Sequence, residues 1–168
     1  MRFRCPTARL VGVGRIGNYA LQFRGRANCA FATISPKAGA SVPVALWELQ
    51  PKDEKNLDRY EGFPTHYFKR LVPVEMESGT CRAMAYIMDL KMEFGLPATY
   101  YYGTVLEGYR DCGLDPAALE QALLESTKAF YDAHCFFQET MSEVEEEGLA
   151  SEDDPETDPF YYSEGYHL

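Results

Sequence analysis

Long apolar runs are missing from this sequence, and none approaches the roughly 18–20 residues that a membrane span needs, so a soluble, non-membrane protein is expected. The opening residues, Met1-Arg2-Phe3-Arg4-Cys5-Pro6, have no apolar stretch behind them and do not read as a secretory leader. No Cys-x-x-Cys pair is present. Five scattered cysteines (Cys5, Cys29, Cys81, Cys112, Cys135) read as free thiols in a reducing cytosol, neither a disulfide framework nor a zinc site. The three histidines are also far apart, which leaves little room for a metal enzyme. No concentrated Lys/Arg stripe exists, so nucleic acid is not an expected partner. Lys and Arg are absent altogether from 139–168, which hold eleven acidic residues, whereas 1–138 hold fifteen acidic residues against sixteen Lys and Arg. The net charge of −10 therefore belongs to a tail, and the rest is nearly neutral.

What is present is one domain's worth of chain: 168 residues, 46% hydrophobic and 14% aromatic. From Arg9 to about Ile34 the pattern is strand-like and broken by glycine. Tyr19, Leu21 and Phe23 alternate with smaller or polar residues. Gly25-Arg26 predicts a turn into a short strand, Cys29–Ile34, and Ser35-Pro36-Lys37-Ala38-Gly39 predicts another turn before a third strand over Val42–Leu49. Asp53 is placed to cap a short helix that passes through Leu57 and Tyr60 and stops at Gly62. His66–Val74 and Cys81–Met88 predict two further strands around Glu77-Ser78-Gly79. Pro97–Tyr109 is aromatic-rich and opens as a helix. Asp115 as N-cap and Pro116 at the first helical position predict a last helix running to about Phe137. The organisation expected is a domain over 1–138 and an acidic, disordered tail over 139–168, too charged to pack.

Gly12-Val13-Gly14-Arg15-Ile16-Gly17 matches the dinucleotide fingerprint letter for letter. That fingerprint needs a strand before it and a helix after it, so that a helix N-terminus meets the pyrophosphate. Here strand-like residues follow, and no acidic residue comes until Glu48. The reading adopted is a strand with flexible glycines.

Glu61 carries more weight. It is the last residue before the capping Gly62, so its carboxylate meets the negative end of the helix dipole, unfavourable by roughly 0.3–1 kcal/mol. That field raises its pKa above the usual value of about 4.3, which suits a group that takes and returns a proton near neutral pH.

Around it, an ordered series of short motifs resembles the gamma-glutamyl cyclotransferase-like family. The series runs Cys5-Pro6, Ala8-Arg9-Leu10, Tyr19-Ala20-Leu21-Gln22-Phe23, Ala32-Thr33-Ile34 and Val42-Pro43-Val44-Ala45-Leu46-Trp47. It continues through Leu57-Asp58-Arg59-Tyr60-Glu61-Gly62, Tyr67, Ala85-Tyr86-Ile87-Met88 and Pro97 through Tyr101 to Gly108-Tyr109. The resemblance implies an α+β fold, a small, mostly antiparallel β-barrel of about five to six strands surrounded by helices. It also implies that Glu61 is the catalytic general acid/base at a cavity mouth, and that Tyr67, Tyr101 and Tyr109 serve the substrate pocket; each tyrosine is equally readable as a core aromatic. The implied partner is a small γ-glutamyl compound, whose α-amine attacks its own γ-carbonyl to release 5-oxoproline, with no cofactor.

Relatives begin with a strand and a Tyr-Gly-Ser-Asn loop, whose backbone amides bind the substrate's anionic group, before the Cys-Pro element. Here Met1 stands three residues before Arg4-Cys5-Pro6. Three accounts stand: a start assigned to an internal methionine, a relative that keeps the barrel and binds without catalysis, or replacement of the strand by another segment such as the aromatic C-terminus. Exposed sheet edges predict a homodimer or aggregation.

Overall fold

Alternating apolar residues on both sides of Asn18 build one long antiparallel hairpin, β1 (Arg9–Arg26) with β2 (Cys29–Glu48). The computed structural model describes the backbone of residues 4–147 and the side chains of residues 4–135. Pairing runs from Arg9 opposite Glu48 to Arg26 opposite Cys29, so Ala27-Asn28 is the turn. The expected turn at 35–39 is instead an excursion within β2. Gly17 faces Ser41 and Tyr19 faces Pro36, leaving Asn18 opposite four residues. Asn18 takes a left-handed φ of 59°, and its side-chain oxygen accepts from the Gly39 N–H at 3.0 Å. Asparagine tolerates that conformation and supplies the local bond that holds it.

Beyond Glu48 comes helix α1 (Pro51–Glu61), then β3 (Tyr67–Met76) and β4 (Gly79–Met88), paired from Tyr67–Met88 to Met76–Gly79. Strand order is β2-β1-β3-β4. The α+β class and antiparallel pairing are as expected. Among the described residues the sheet has four strands, and β4 returns towards β2 through the Thr33 hydroxyl, which accepts from the Met88 N–H at 3.0 Å.

β1 and β3 meet at Arg15–Glu75. The glycine motif lies within β1 at this crossing and leads into more strand, not a helix. A Cβ on Gly14 would stand 2.5 Å from the Glu75 carbonyl oxygen. Close backbone approach is the reason for glycine there. Past this point the strands part, opening a cleft of about 510 Å³ lined by Tyr19, Ile34, Phe68, Arg70, Val72 and Ile87.

Helix α2 (Thr99–Asp111) and helix α3 (Ala117–Glu147) follow. Asp115 accepts from the Ala117 N–H at 3.0 Å and Pro116 takes the first helical carbonyl role, one residue later than the sequence pattern suggests. Helix α3 continues to Glu147, beyond the expected end near Phe137; the rest of the expected tail lies outside the described residues. By internal packing the chain divides into Met1–Ala133 and His134–Leu168.

Within the first unit, two apolar clusters form. Ile16, Ile34, Val42, Val72 and Val74 make one between the strands. Phe23, Ala30, Tyr109, Leu119 and Ala122 make the other, where α2 and α3 cover the turn end of the hairpin. The Phe23 N–H, no longer facing β3, donates to the buried Ser126 hydroxyl at 2.9 Å, which satisfies it in an apolar setting.

Candidate active site

Helix α1 delivers the site. Pro51 occupies its first turn after the N-cap Gln50, and Gly62 ends it with φ 65° and ψ 36°. The Phe63 N–H reaches back to the Asp58 carbonyl at 2.9 Å, a Schellman closure that fixes where Glu61 leaves the helix. Asp53 is not the N-cap. It sits in the first turn, fully buried, and accepts from the Thr7 hydroxyl, while the Cys5 thiol reaches its carbonyl at 3.8 Å. Those contacts lay residues 4–8 along α1.

The helix is also tied to the sheet. Lys69 on β3 lies 2.6 Å from both Glu54 and Asp58, and the Tyr86 hydroxyl donates to Asp58 at 2.6 Å. Hydrogen bonds from Lys69 and Tyr86 hold the Asp58 carboxyl below its ordinary range. With β3 and β4 anchored to successive turns of α1, the orientation of Glu61 is set by rigid elements.

Glu61 itself is half-buried. Burial pushes its pKa up, and the Arg4 guanidinium partly offsets the shift. Burial therefore acts in the direction expected of the helix-end field. Tyr67 is buried and Tyr101 half-buried. Burial raises the pKa of both, and the Glu61 charge pushes each in the same direction. Both phenols stay protonated at neutral pH. Together they clamp one residue of the β2 edge: the Ala32 N–H donates to the Tyr101 oxygen at 3.0 Å, and the Tyr67 hydroxyl donates to the Ala32 carbonyl at 3.1 Å. Because Tyr101 accepts there, its own O–H remains a donor. Phe31 stacks edge-on against the Tyr101 ring, centroids 5.0 Å apart, and fixes the ring's place.

Tyr67 and Tyr101 thus meet on Ala32 within reach of the Glu61 charge, whereas Tyr109, whose cluster Tyr101 also packs against, shows no such influence. Tyr109 lies in the second apolar cluster beside Phe23 and Leu119. Burial, then the neighbouring Tyr102, pushes its pKa up to about 12. Two further members of the Glu61 neighbourhood escaped the sequence reading, Arg4 and Tyr60. The Arg4 guanidinium carbon lies 3.4 Å from the Tyr60 ring centroid, and its Nη2 donates to the Tyr60 hydroxyl. Their signal was adjacency alone, Tyr60 before Glu61 and Arg4 before Cys5-Pro6. Among the described residues, no group of three or more His, Cys, Asp or Glu is placed to hold a metal ion, and no helix is long and apolar enough to cross a membrane.

Residues 41–121, which include α1, Glu61, Tyr67 and Tyr101, match the model of the AIG2-like family. Comparison with curated proteins yields no match. Among solved structures, the chain is similar to a gamma-glutamyl cyclotransferase, with a TM-score of 0.64 and 22% identity over 72% of this chain and 76% of that one. It is similar also to an uncharacterized protein from Homo sapiens, with a TM-score of 0.63 and 23% identity over the same shares. YkqA from Bacillus subtilis follows at a TM-score of 0.58 and 18% identity, covering 71% of this chain and 45% of that one. These likenesses show the fold. Residues 41–121 thus carry the AIG2-like match, and the fold is shared with a solved gamma-glutamyl cyclotransferase.

Proposed function

We propose that the protein is a cyclotransferase acting on a γ-glutamyl amino acid, peptide or amine. The reading rests on one observation: Glu61, half-buried with a raised pKa, ends a braced helix beside two protonated tyrosines. The substrate's α-amine, as the free base, attacks its own γ-carbonyl carbon. A new C–N bond closes the five-membered lactam, the bond to the leaving amine breaks, and 5-oxoproline is released. Glu61 accepts the proton shed by the attacking nitrogen and returns it to the departing one, so charge and protons balance within a single site. Transfer of this kind contributes about 10²–10⁴ in rate. Ring closure is intramolecular, so the remaining task is to hold the reactive rotamer. Tyr101, whose O–H is free to donate, supplies the donor for the oxygen that gains charge at the γ-carbonyl.

No resident cofactor enters these steps. The free thiols Cys5, Cys29, Cys81, Cys112 and Cys135 fit a reducing, cytoplasmic setting. The test is release of 5-oxoproline from γ-glutamyl dipeptides by the wild type and by Glu61→Gln. The variant keeps shape and loses the base, so turnover falls by about 10²–10⁴. Unimpaired turnover in Glu61→Gln removes Glu61 from its role.

A further inference from the structure

Arg4 carries a charge that acts on the Glu61 carboxylate without forming an ion pair with it. Among the described residues it makes no ion pair, whereas Lys69 beside α1 is held by Glu54 and Asp58, each at 2.6 Å. Its guanidinium carbon lies 3.4 Å from the Tyr60 ring centroid, and Nη2 donates to the Tyr60 hydroxyl. A guanidinium carries five N–H donors in a rigid fork, and among the described residues the Tyr60 hydroxyl is the one acceptor it donates to. The backbone beneath is fixed. The Arg4 carbonyl accepts from Asn56 at 3.3 Å, buried Cys5 reaches the Asp53 carbonyl, and Thr7 holds the Asp53 side chain. Residues 4–7 are therefore strapped to the helix that ends in Glu61, and the Arg4 charge is felt at both Glu61 and Tyr101.

We infer that Arg4 is the recognition residue for the α-carboxylate of the γ-glutamyl group, and so selects compounds in which that carboxylate is free. The inference rests on the cyclotransferase reading. In a γ-glutamyl group the α-amine and α-carboxylate share one carbon. An amine delivered to Glu61 brings its carboxylate alongside, and Arg4, on the segment strapped along α1, has donors to spare there; Arg59 in the last turn of α1 is exposed and carries no such strap. Planar bidentate pairing also fixes rotation about the shared carbon, which sets the amine's line of attack.

The experiment compares γ-glutamyl-alanine with the same dipeptide bearing an α-carboxamide, using wild type, Arg4→Gln and Arg4→Lys. Wild type prefers the carboxylate; Arg4→Gln lowers kcat/KM on it by about 10–100-fold, mainly through KM, the range of a lost charge-assisted hydrogen bond. The carboxamide changes less than threefold, and Arg4→Lys falls between. Equal losses on both substrates overturn carboxylate recognition. So does a wild type with no preference, a result that depends on no variant's folding. If wild type turns over neither substrate, the cyclotransferase reading fails. Arg4 is then judged by calorimetric binding of 5-oxoproline against its carboxamide: loss of the carboxylate preference in Arg4→Gln supports the site, and equal affinities overturn it.

Discussion

The three glycines of the Gly12–Gly17 motif stand at different distances from β3, and the difference sets a graded outcome for alanine substitution. At Gly14 the new Cβ meets a backbone oxygen, that of Glu75, at 2.5 Å, with the Val74 side chain at 2.9 Å. Nothing there swings aside, so the strands must separate at their Arg15–Glu75 pairing. Overpacking of this kind costs about 1–3 kcal/mol, and at this chain length each kcal/mol moves Tm by roughly 2–4 °C. Gly14→Ala should therefore melt about 2–12 °C below wild type. At Gly12 the neighbour is the end of the Met76 side chain at 3.0 Å. A thioether has room to rotate, and the change stays within about 0.5 kcal/mol. At Gly17 the nearest atom is a Glu75 carboxylate oxygen at 3.5 Å, an ordinary contact. Removing glycine from a strand interior there gains roughly 0.5–1 kcal/mol. Thermal melts with parallel urea titrations read the order Gly17→Ala, Gly12→Ala, Gly14→Ala from most to least stable. Wild-type melting by Gly14→Ala, or an equal fall in Gly17→Ala, would refute the reasoning.

Other perturbations test the site. Tyr101→Phe leaves the Ala32 N–H without its acceptor and should cost about 1 kcal/mol, while Tyr67→Phe costs a similar amount by freeing the carbonyl; urea unfolding that matches wild type for both removes the clamp from the account. Thr7→Val leaves both oxygens of buried Asp53 without a partner, since one already has none, and should cost about 1–3 kcal/mol, with Thr7→Ser close to wild type; equal stability of the valine variant argues against the strap. Glu61 holds its proton more tightly in the folded chain than in the unfolded one, because burial raises its pKa. Its protonated form therefore contributes stability fully below the unfolded value of about 4.3, and that contribution is lost as pH rises through the higher folded value. Glu61→Gln should accordingly be more stable than wild type at pH 7, with the gap closing in acid; a gap that widens in acid contradicts burial as the cause. Turnover has the opposite dependence, rising on the acid limb as Glu61 loses its proton, and a limb at the ordinary carboxylate value contradicts the same point.

Much of this was legible in residue order, and the exceptions share a cause. Strands β3 and β4 and the end of α1 follow from alternation and from a glycine at the helix stop, signals carried by neighbours in sequence. The left-handed Gly62 is the clearest case, since it locates Glu61 to the residue. The excursion in β2 was misread because Pro36 and Gly39 look like a turn; only a partner strand reveals that Asn18 absorbs it. Asp53 looked like a cap because aspartate near a helix start so often is one, yet its partner is Thr7, distant in sequence. The same holds for the site. Glu61 was found from local chemistry, whereas the convergence of Tyr67 and Tyr101 on Ala32 joins β3 and α2 to β2, and no spacing rule encodes it. Tyr101 and Tyr109 lie eight positions apart on α2, yet the first clamps Ala32 and the second fills a core.

The irregularity at Asn18 has a consequence for how this hairpin tolerates changes in length. Within the regular stretches of β1 and β2, away from Asn18 and from the smaller shift at Val11, a one-residue insertion or deletion would reverse which side chains point inward from there onward. Opposite Asn18 the surplus residues, 37–40, are already unpaired with β1, so gain or loss there leaves the register of both halves intact. The hairpin behaves as two separately indexed ladders, one serving the cluster around Ile16 and the other the cluster around Phe23, and growth at their joint is free to occur without renumbering either.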